Sequence, residues 1–237
     1  MEQQEAKRVM GIFAHPDDPE FFCGATFARW AAEGADITFV MATSGDKGSD
    51  DPEMTHARLI EIREQEERNA AAVLGVKEVI FLRHPDGELQ PTLELRRELT
   101  RLIRLKKPEI LVTSDPTAYW YGPTYINHPD HRAIGAATLE AVFPTARDRL
   151  NFIELWRDEG LDPHKVKYVY VAIPAEATTF VDVTAYIETK INALREHKSQ
   201  IKDMEEMAKR IRERNLDTRA PVDAPRYIEG FRVFTLA

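Results

Sequence analysis

The residues Arg8-Val9-Met10-Gly11-Ile12-Phe13-Ala14-His15-Pro16-Asp17-Asp18-Pro19-Glu20 decide how the chain is read. Arg8 to Ala14 is an apolar run of strand length. His15 to Glu20 is polar and framed by Pro16 and Pro19, so no helix runs through it and its side chains are held in a defined turn. A helix then covers Phe21 to Glu33. The unit repeats outward: strand Asp36 to Ala42, long helix Met54 to Leu74 closed by Gly75, strand Val79 to Leu82, helix Leu93 to Lys107 ended by Pro108, strand Ile110 to Ser114. This alternation predicts βαβ units wound into a mainly parallel sheet, an α/β Rossmann-like three-layer fold.

The last third is less regular. Strands are expected at Val166 to Ile173 and Thr179 to Val183, a helix from Tyr186 to about Arg214, a proline-containing loop from Asp217 to Arg226 and a short terminal element from Gly230 to Leu236. The late helix carries a mixed-sign run (Lys202, Asp203, Glu205, Glu206, Lys209, Arg210) that fits a solvated face or a contact within a homo-oligomer. No internal repeat or linker divides the chain, so one domain is expected over residues 1–237.

Composition excludes several classes. With 32 Lys and Arg against 40 Asp and Glu, the net charge of −8 argues against a nucleic-acid binder, which needs clustered basic residues. The polar start, Met1 to Arg8, has no apolar segment behind it for a signal peptide or a membrane span, so a cytoplasmic protein is expected. A lone cysteine, Cys23, excludes a disulfide framework or a multi-cysteine metal site. It reads as a small buried hydrophobe. Any metal must be held by His and carboxylate.

A second polar cluster, Asn127-His128-Pro129-Asp130-His131, follows the fourth strand. In a sheet of order 3-2-1-4, strands 1 and 4 are neighbours where the winding reverses, and ligands sit beyond their carboxyl ends. The two clusters should therefore meet in one cleft. A catalytic zinc site takes three protein ligands, often two His and one carboxylate, and keeps a position open for water. His15 and Asp18 can converge on one ion, and either His128 or His131 can complete the set. Asp17 would then take a proton from the activated water, and the remaining histidine would act on the substrate oxygen. His-Pro-Asp triplets also occur as plain turns with a capping Asp, and His84-Pro85-Asp86-Gly87 reads that way.

These residues resemble the PIG-L/LmbE-like zinc-dependent deacetylases of N-acetylglucosamine-type compounds, and the resemblance covers most of the chain. Besides the two clusters, it is carried by Ala42-Thr43-Ser44-Gly45-Asp46-Lys47-Gly48 after the second strand and by Arg63-x-x-Glu66 with Ala70-Ala71 and Leu74-Gly75-Val76. Asp86-Gly87-x-Leu89, and Lys190 with Ala193-Leu194 and His197-x-Ser199-Gln200, extend it. The resemblance implies His15, Asp18 and His131 as metal ligands, Asp17 as the base, His128 as the group that hydrogen-bonds the acetamide oxygen, Asp130 as its orienting partner and Arg63 as a substrate contact. Zinc is the implied cofactor, with iron(II) or another divalent ion as the alternative.

The sequence departs from the family in two places. Pro19 displaces the usual Glu to Glu20, and Ile126 stands where some members carry a tyrosine, with Tyr119, Tyr121 and Tyr125 nearby. Arg63 also fits a surface ion pair on its glutamate-rich helix. Tyr119-Trp120-Tyr121 fits either a stack on a sugar ring or a roof over the site. The loops 44–54, 115–127 and 144–165 are expected to shape the pocket. The expected activity is release of acetate from an N-acetylated amino sugar or related conjugate. Alternatives are an amidase on a thiol conjugate, an iron(II) oxygenase and a non-catalytic, metal-stabilised module that binds a glycan or nucleotide.

Overall fold

The computed structural model describes residues 7–236; of the polar start, residues 1–6 lie outside the described part. The order of elements is β1 (Arg8–Phe13), α1 (Asp18–Ala32), β2 (Asp36–Thr43), α2 (His56–Leu74), β3 (Glu78–His84), α3 (Leu93–Lys106), β4 (Ile110–Ser114), the short pair β5 (Trp120–Tyr121) and β6 (Tyr125–Ile126), and α4 (Pro129–Glu140). Then follow α5 (Ile153–Arg157), β7 (Tyr168–Ala172), β8 (Thr179–Asp182), α6 (Ile187–Leu194), α7 (Met204–Asn215) and β9 (Ile228–Thr235). A seven-stranded sheet runs in the order β3-β2-β1-β4-β7-β9-β8. Its β3-β2-β1-β4-β7 portion is parallel, and β9 and β8 are added antiparallel. The α/β reading and the neighbouring placement of strands 1 and 4 both hold.

The central parallel strands β1, β2 and β4 are buried on both faces, as crossover helices require, while the edge strand β3 is half-buried. β4 is buried at every position, and Val9 to Phe13 of β1 likewise. One core layer joins Met10, Ile12 and Leu111 to α3 and α4; the other joins Phe13, Phe39 and Val112 to α1 and α2. Gly135 lets α4 press onto β4: a Cβ there would lie 2.4 Å from the Ser114 carbonyl oxygen. Among the described residues no helix is long and apolar enough to cross a membrane.

Three expectations are corrected. The helix expected from Phe21 begins at Asp18, because proline is tolerated in a first turn and Pro19 sits there. The helix expected over Tyr186 to Arg214 is two, α6 and α7, with the chain between them turned so that Ser199 meets Glu66 on α2. Asp203 restarts the second by accepting from the Glu206 N–H. The loop 144–165 packs away from the site, because buried Arg104 on α3 gathers the carbonyls of Thr145, Ala146, Asp148 and Asn151.

Cys23 is buried, as expected, and marks a break inside α1, where its φ of −155° leaves the helical region. The freed N–H groups of Ala25 and Thr26 donate to Glu229 of β9, which also pairs with buried Lys190 of α6 at 2.7 Å.

Candidate functional site

The chain leaves β1 into the His15–Asp18 turn, and α4 starts beside it with Pro129 in its first turn. Asp18 fixes the turn by accepting from the Ala14 and His15 N–H groups at 3.1 and 2.9 Å. Its other oxygen lies 3.0 Å from His131 Nε2. His15 Nδ1 stands 3.3 Å from that same nitrogen and 3.5 Å from Asp18 Oδ2. Donors around a tetrahedral ion with bonds of about 2.0–2.2 Å lie roughly 3.3–3.5 Å apart; the two imidazole nitrogens meet that spacing, and Asp18 approaches them with different oxygens, Oδ1 toward His131 and Oδ2 toward His15.

The surroundings support that use. His131 Nδ1 meets Asn127 Oδ1 at 2.8 Å, which turns Nε2 toward Asp18. His15 Nε2 faces Asp86 at 3.1 Å and Asp130 at 3.3 Å. Burial pulls the His15 imidazole down, but Asp130, Asp18 and Asp86 together hold it well above its ordinary value. Burial works against ionisation of Asp18 too, and His131 and His15 overcome it, keeping the carboxyl well below its usual range. So dense a carboxylate shell calls for a cation at its centre, a proton or a metal ion. His128 also lies within reach of His15 and His131, but its side chain is 38% exposed and its Nδ1 accepts from the Asp130 N–H at 3.3 Å.

Asp17 occupies the turn's strained position, with φ 104°, a left-handed conformation that costs a non-glycine residue on the order of 1–2 kcal/mol. Its N–H donates to Glu67 at 3.0 Å. Its carboxylate meets Arg63 at 3.1 Å, and burial raises its pKa above the ordinary value against the pull of that guanidinium. Arg63 is buried and also donates to the carbonyls of Pro16 and Gly45 at 2.6 and 3.0 Å. It turns inward, away from the helix glutamates that offered it a surface ion pair. Gly45 makes this passage possible: a Cβ there would stand 2.1 Å from the guanidinium.

The carboxylate of Asp130 is placed differently from expectation. It accepts from the Gly87 and Leu89 N–H groups and faces His15, while its distance to His128 Nδ1 is 4.0 Å. Burial and neighbouring His15 pull His128 below its ordinary value, so a carboxylate-raised imidazolium is not what the geometry provides. With Nδ1 accepting a backbone N–H, the neutral ring carries its proton on Nε2.

These groups floor a cleft of about 730 Å³ whose outer wall includes Phe22, Tyr121, Tyr125, Ile173 and Arg214. Tyr121 and Tyr125 line it; Tyr119 instead lies under Arg132. Asp86, read from sequence as a plain turn residue, lines the cleft, and its His-Pro-Asp triplet was the available signal. Asn127, four residues before His131, and Glu67, four after Arg63, were missed. Glu20, displaced by Pro19, is fully buried with Glu67 and His197. His84 pairs with Glu98 and His164 with the Pro108 carbonyl, both away from the cleft.

The chain is similar to known proteins over most of its length. A diacetylchitobiose deacetylase from Thermococcus kodakarensis is 35% identical over 83% of this chain and 71% of its own. A 1D-myo-inositol 2-acetamido-2-deoxy-alpha-D-glucopyranoside deacetylase from Thermomonospora curvata is 30% identical, over 82% and 81%. The solved structure of N,N'-diacetylchitobiose deacetylase from Pyrococcus horikoshii superposes with a TM-score of 0.87 at 30% identity, covering 98% of this chain and 85% of that one. The model of the PIG-L family, GlcNAc-PI de-N-acetylase, matches residues 10–142, from β1 through α4 and therefore across both polar clusters. This chain belongs to the PIG-L family of metal-dependent de-N-acetylases.

Proposed function

We propose that the chain, acting as one domain, hydrolyses the acetamide of an N-acetylglucosamine conjugate to acetate and a free amine, with His15, Asp18 and His131 holding the metal. The observation that carries this reading is the meeting of His15 Nδ1 and His131 Nε2 at 3.3 Å in the cleft, with Asp18 Oδ1 at 3.0 Å from His131 and Asp18 Oδ2 at 3.5 Å from His15. Two imidazoles and a carboxylate with a vacant position suit zinc. When bound, such an ion lowers the pKa of a coordinated water and polarises a carbonyl.

The protein's own groups do the rest. Asp17, its basicity raised by burial and its carboxylate held by Arg63, takes the proton from the attacking water and delivers it to the departing nitrogen. His128 donates its Nε2 proton in a hydrogen bond to the acetamide oxygen as charge develops there, and the Asp130 N–H on Nδ1 keeps it in that tautomer. Asp130 uses its carboxylate to orient His15 and to tie the 87–89 turn to α4. Arg63 contacts substrate at the cleft's inner wall, beside its grip on Asp17. Tyr121 and Tyr125 give the sugar an aromatic wall.

An acetate-release assay over N-acetylglucosamine, its β-linked disaccharide and inositol or malate glycosides tests the reading. Release from at least one conjugate, abolished by chelator and restored by zinc, is expected. Metal-replete protein that frees acetate from none of them would contradict it.

A further inference from the structure

Glu67 is a buried carboxyl with no evident reason to be there. Its side chain is fully enclosed, and among the described residues no Lys or Arg pairs with it. Behind it lie two more fully buried polar side chains, Glu20 and His197, with His197 Nε2 at 3.4 Å from Glu20 and 3.9 Å from Glu67. For stability alone, an apolar side chain of the same shape would serve as well or better, because enclosing a carboxyl is costly when the one cation candidate facing it, His197, stands 3.9 Å away among other buried acids. What Glu67 does hold is the backbone N–H of Asp17, at 3.0 Å, at the one strained residue of the catalytic turn.

Arg63 and Glu67 are four residues apart on α2 and so project from one face of the helix. They close on Asp17 from two sides: Arg63 takes the Pro16 carbonyl and the Asp17 carboxylate, and Glu67 takes the Asp17 N–H. Glu20 and His197 fill the space beyond Glu67, so its carboxyl cannot swing away.

We infer that Glu67, backed by Glu20 and His197, is a positioning residue that aims the Asp17 carboxylate by clamping its backbone. The inference rests on Asp17 being the base. It requires that Glu67 act only through Asp17, which a general packing role would not.

The test compares Glu67→Met, which keeps the volume and removes the acceptor, with Glu67→Gln, whose amide oxygen still accepts from the Asp17 N–H; each is also built on Asp17→Ala. Misaiming a reacting group by about 1 Å costs roughly 10²-fold, so Glu67→Met is expected to lose about that much kcat with KM and metal content within about twofold of the parent. Glu67→Gln should stay within about threefold of the parent, and on Asp17→Ala neither substitution should lower the residual rate further. Should Glu67→Met not fold, Glu67→Leu is read the same way.

Full kcat in the apolar variant, failure of Gln to rescue, loss of metal, or an undiminished effect on Asp17→Ala would each overturn the inference. If Asp17→Ala itself keeps full turnover, the assignment of the base has failed instead.

Discussion

In the proposed reaction Asp17 carries the most demanding role, because it must be ionised, largely buried and aimed at once. Asp17→Ala is expected to keep its metal and lose about 10²–10⁴-fold in kcat, measured by acetate release beside elemental analysis. His131→Ala should instead lose the metal, since it removes one of the three proposed donors. Gly45→Ala offers a subtler check. The added Cβ would stand 2.1 Å from the Arg63 guanidinium, forcing it off the Pro16 carbonyl and Asp17, so kcat should fall by about tenfold or more with metal content unchanged. The residues meeting at the cleft floor were legible in the sequence because His15, Asp17, Asp18, His128 and His131 stand in two short clusters with ligand chemistry. Their supports were not. Asn127 reads as an ordinary loop residue until the fold turns its amide toward His131, and Glu67 reads as one more acid on a charged helix until α2 packs against the turn.

The elements work by fixing where those clusters end up. α4 must lie close on β4 for His131 to reach Asp18, and Gly135 permits the approach. Gly135→Ala puts a Cβ 2.4 Å from the Ser114 carbonyl oxygen, a backbone atom that cannot rotate aside. Such overpacking costs about 1–3 kcal/mol. In a chain of this length each kcal/mol lowers Tm by roughly 2–4 °C, so a loss of several degrees, with weakened metal retention, is the expected calorimetric result. Strand and helix alternation through the first half was readable because each parallel strand is a continuous apolar run beside an amphipathic helix. The break between α6 and α7 was not. The charged periodicity continues across it, and what stops the helix is tertiary: Ser199 donates to Glu66 on a helix remote in sequence.

Across the whole molecule, the antiparallel end of the sheet is hydrogen-bonded to β7 and tied to the helical layer by a buried ion pair. Lys190 and Glu229, each 1% exposed, join α6 to β9, and Glu229 also caps the broken half of α1, the helix that begins at Asp18. Lys190→Met leaves that carboxylate enclosed without its cation. The expected loss is about 3–5 kcal/mol in denaturant unfolding, larger than for an exposed pair such as Arg157 with Asp158. Nothing local in the sequence announces this link, since Glu229 is one acid among many and its partner lies in another element. Metal removal should act at the same level. A ligand that binds only the folded chain stabilises it by mass action, so a chelator should lower Tm and zinc should restore it.

The most direct measurement is an anomalous difference map, recorded at the metal's absorption edge, from crystals of protein that releases acetate. One peak per chain is expected, bounded by His15, Asp18 and His131 with bonds of about 2.0–2.2 Å. A peak held by other side chains, such as Glu20, Glu67 and His197, or no peak in active protein, would contradict the metal centre on which the proposed chemistry depends.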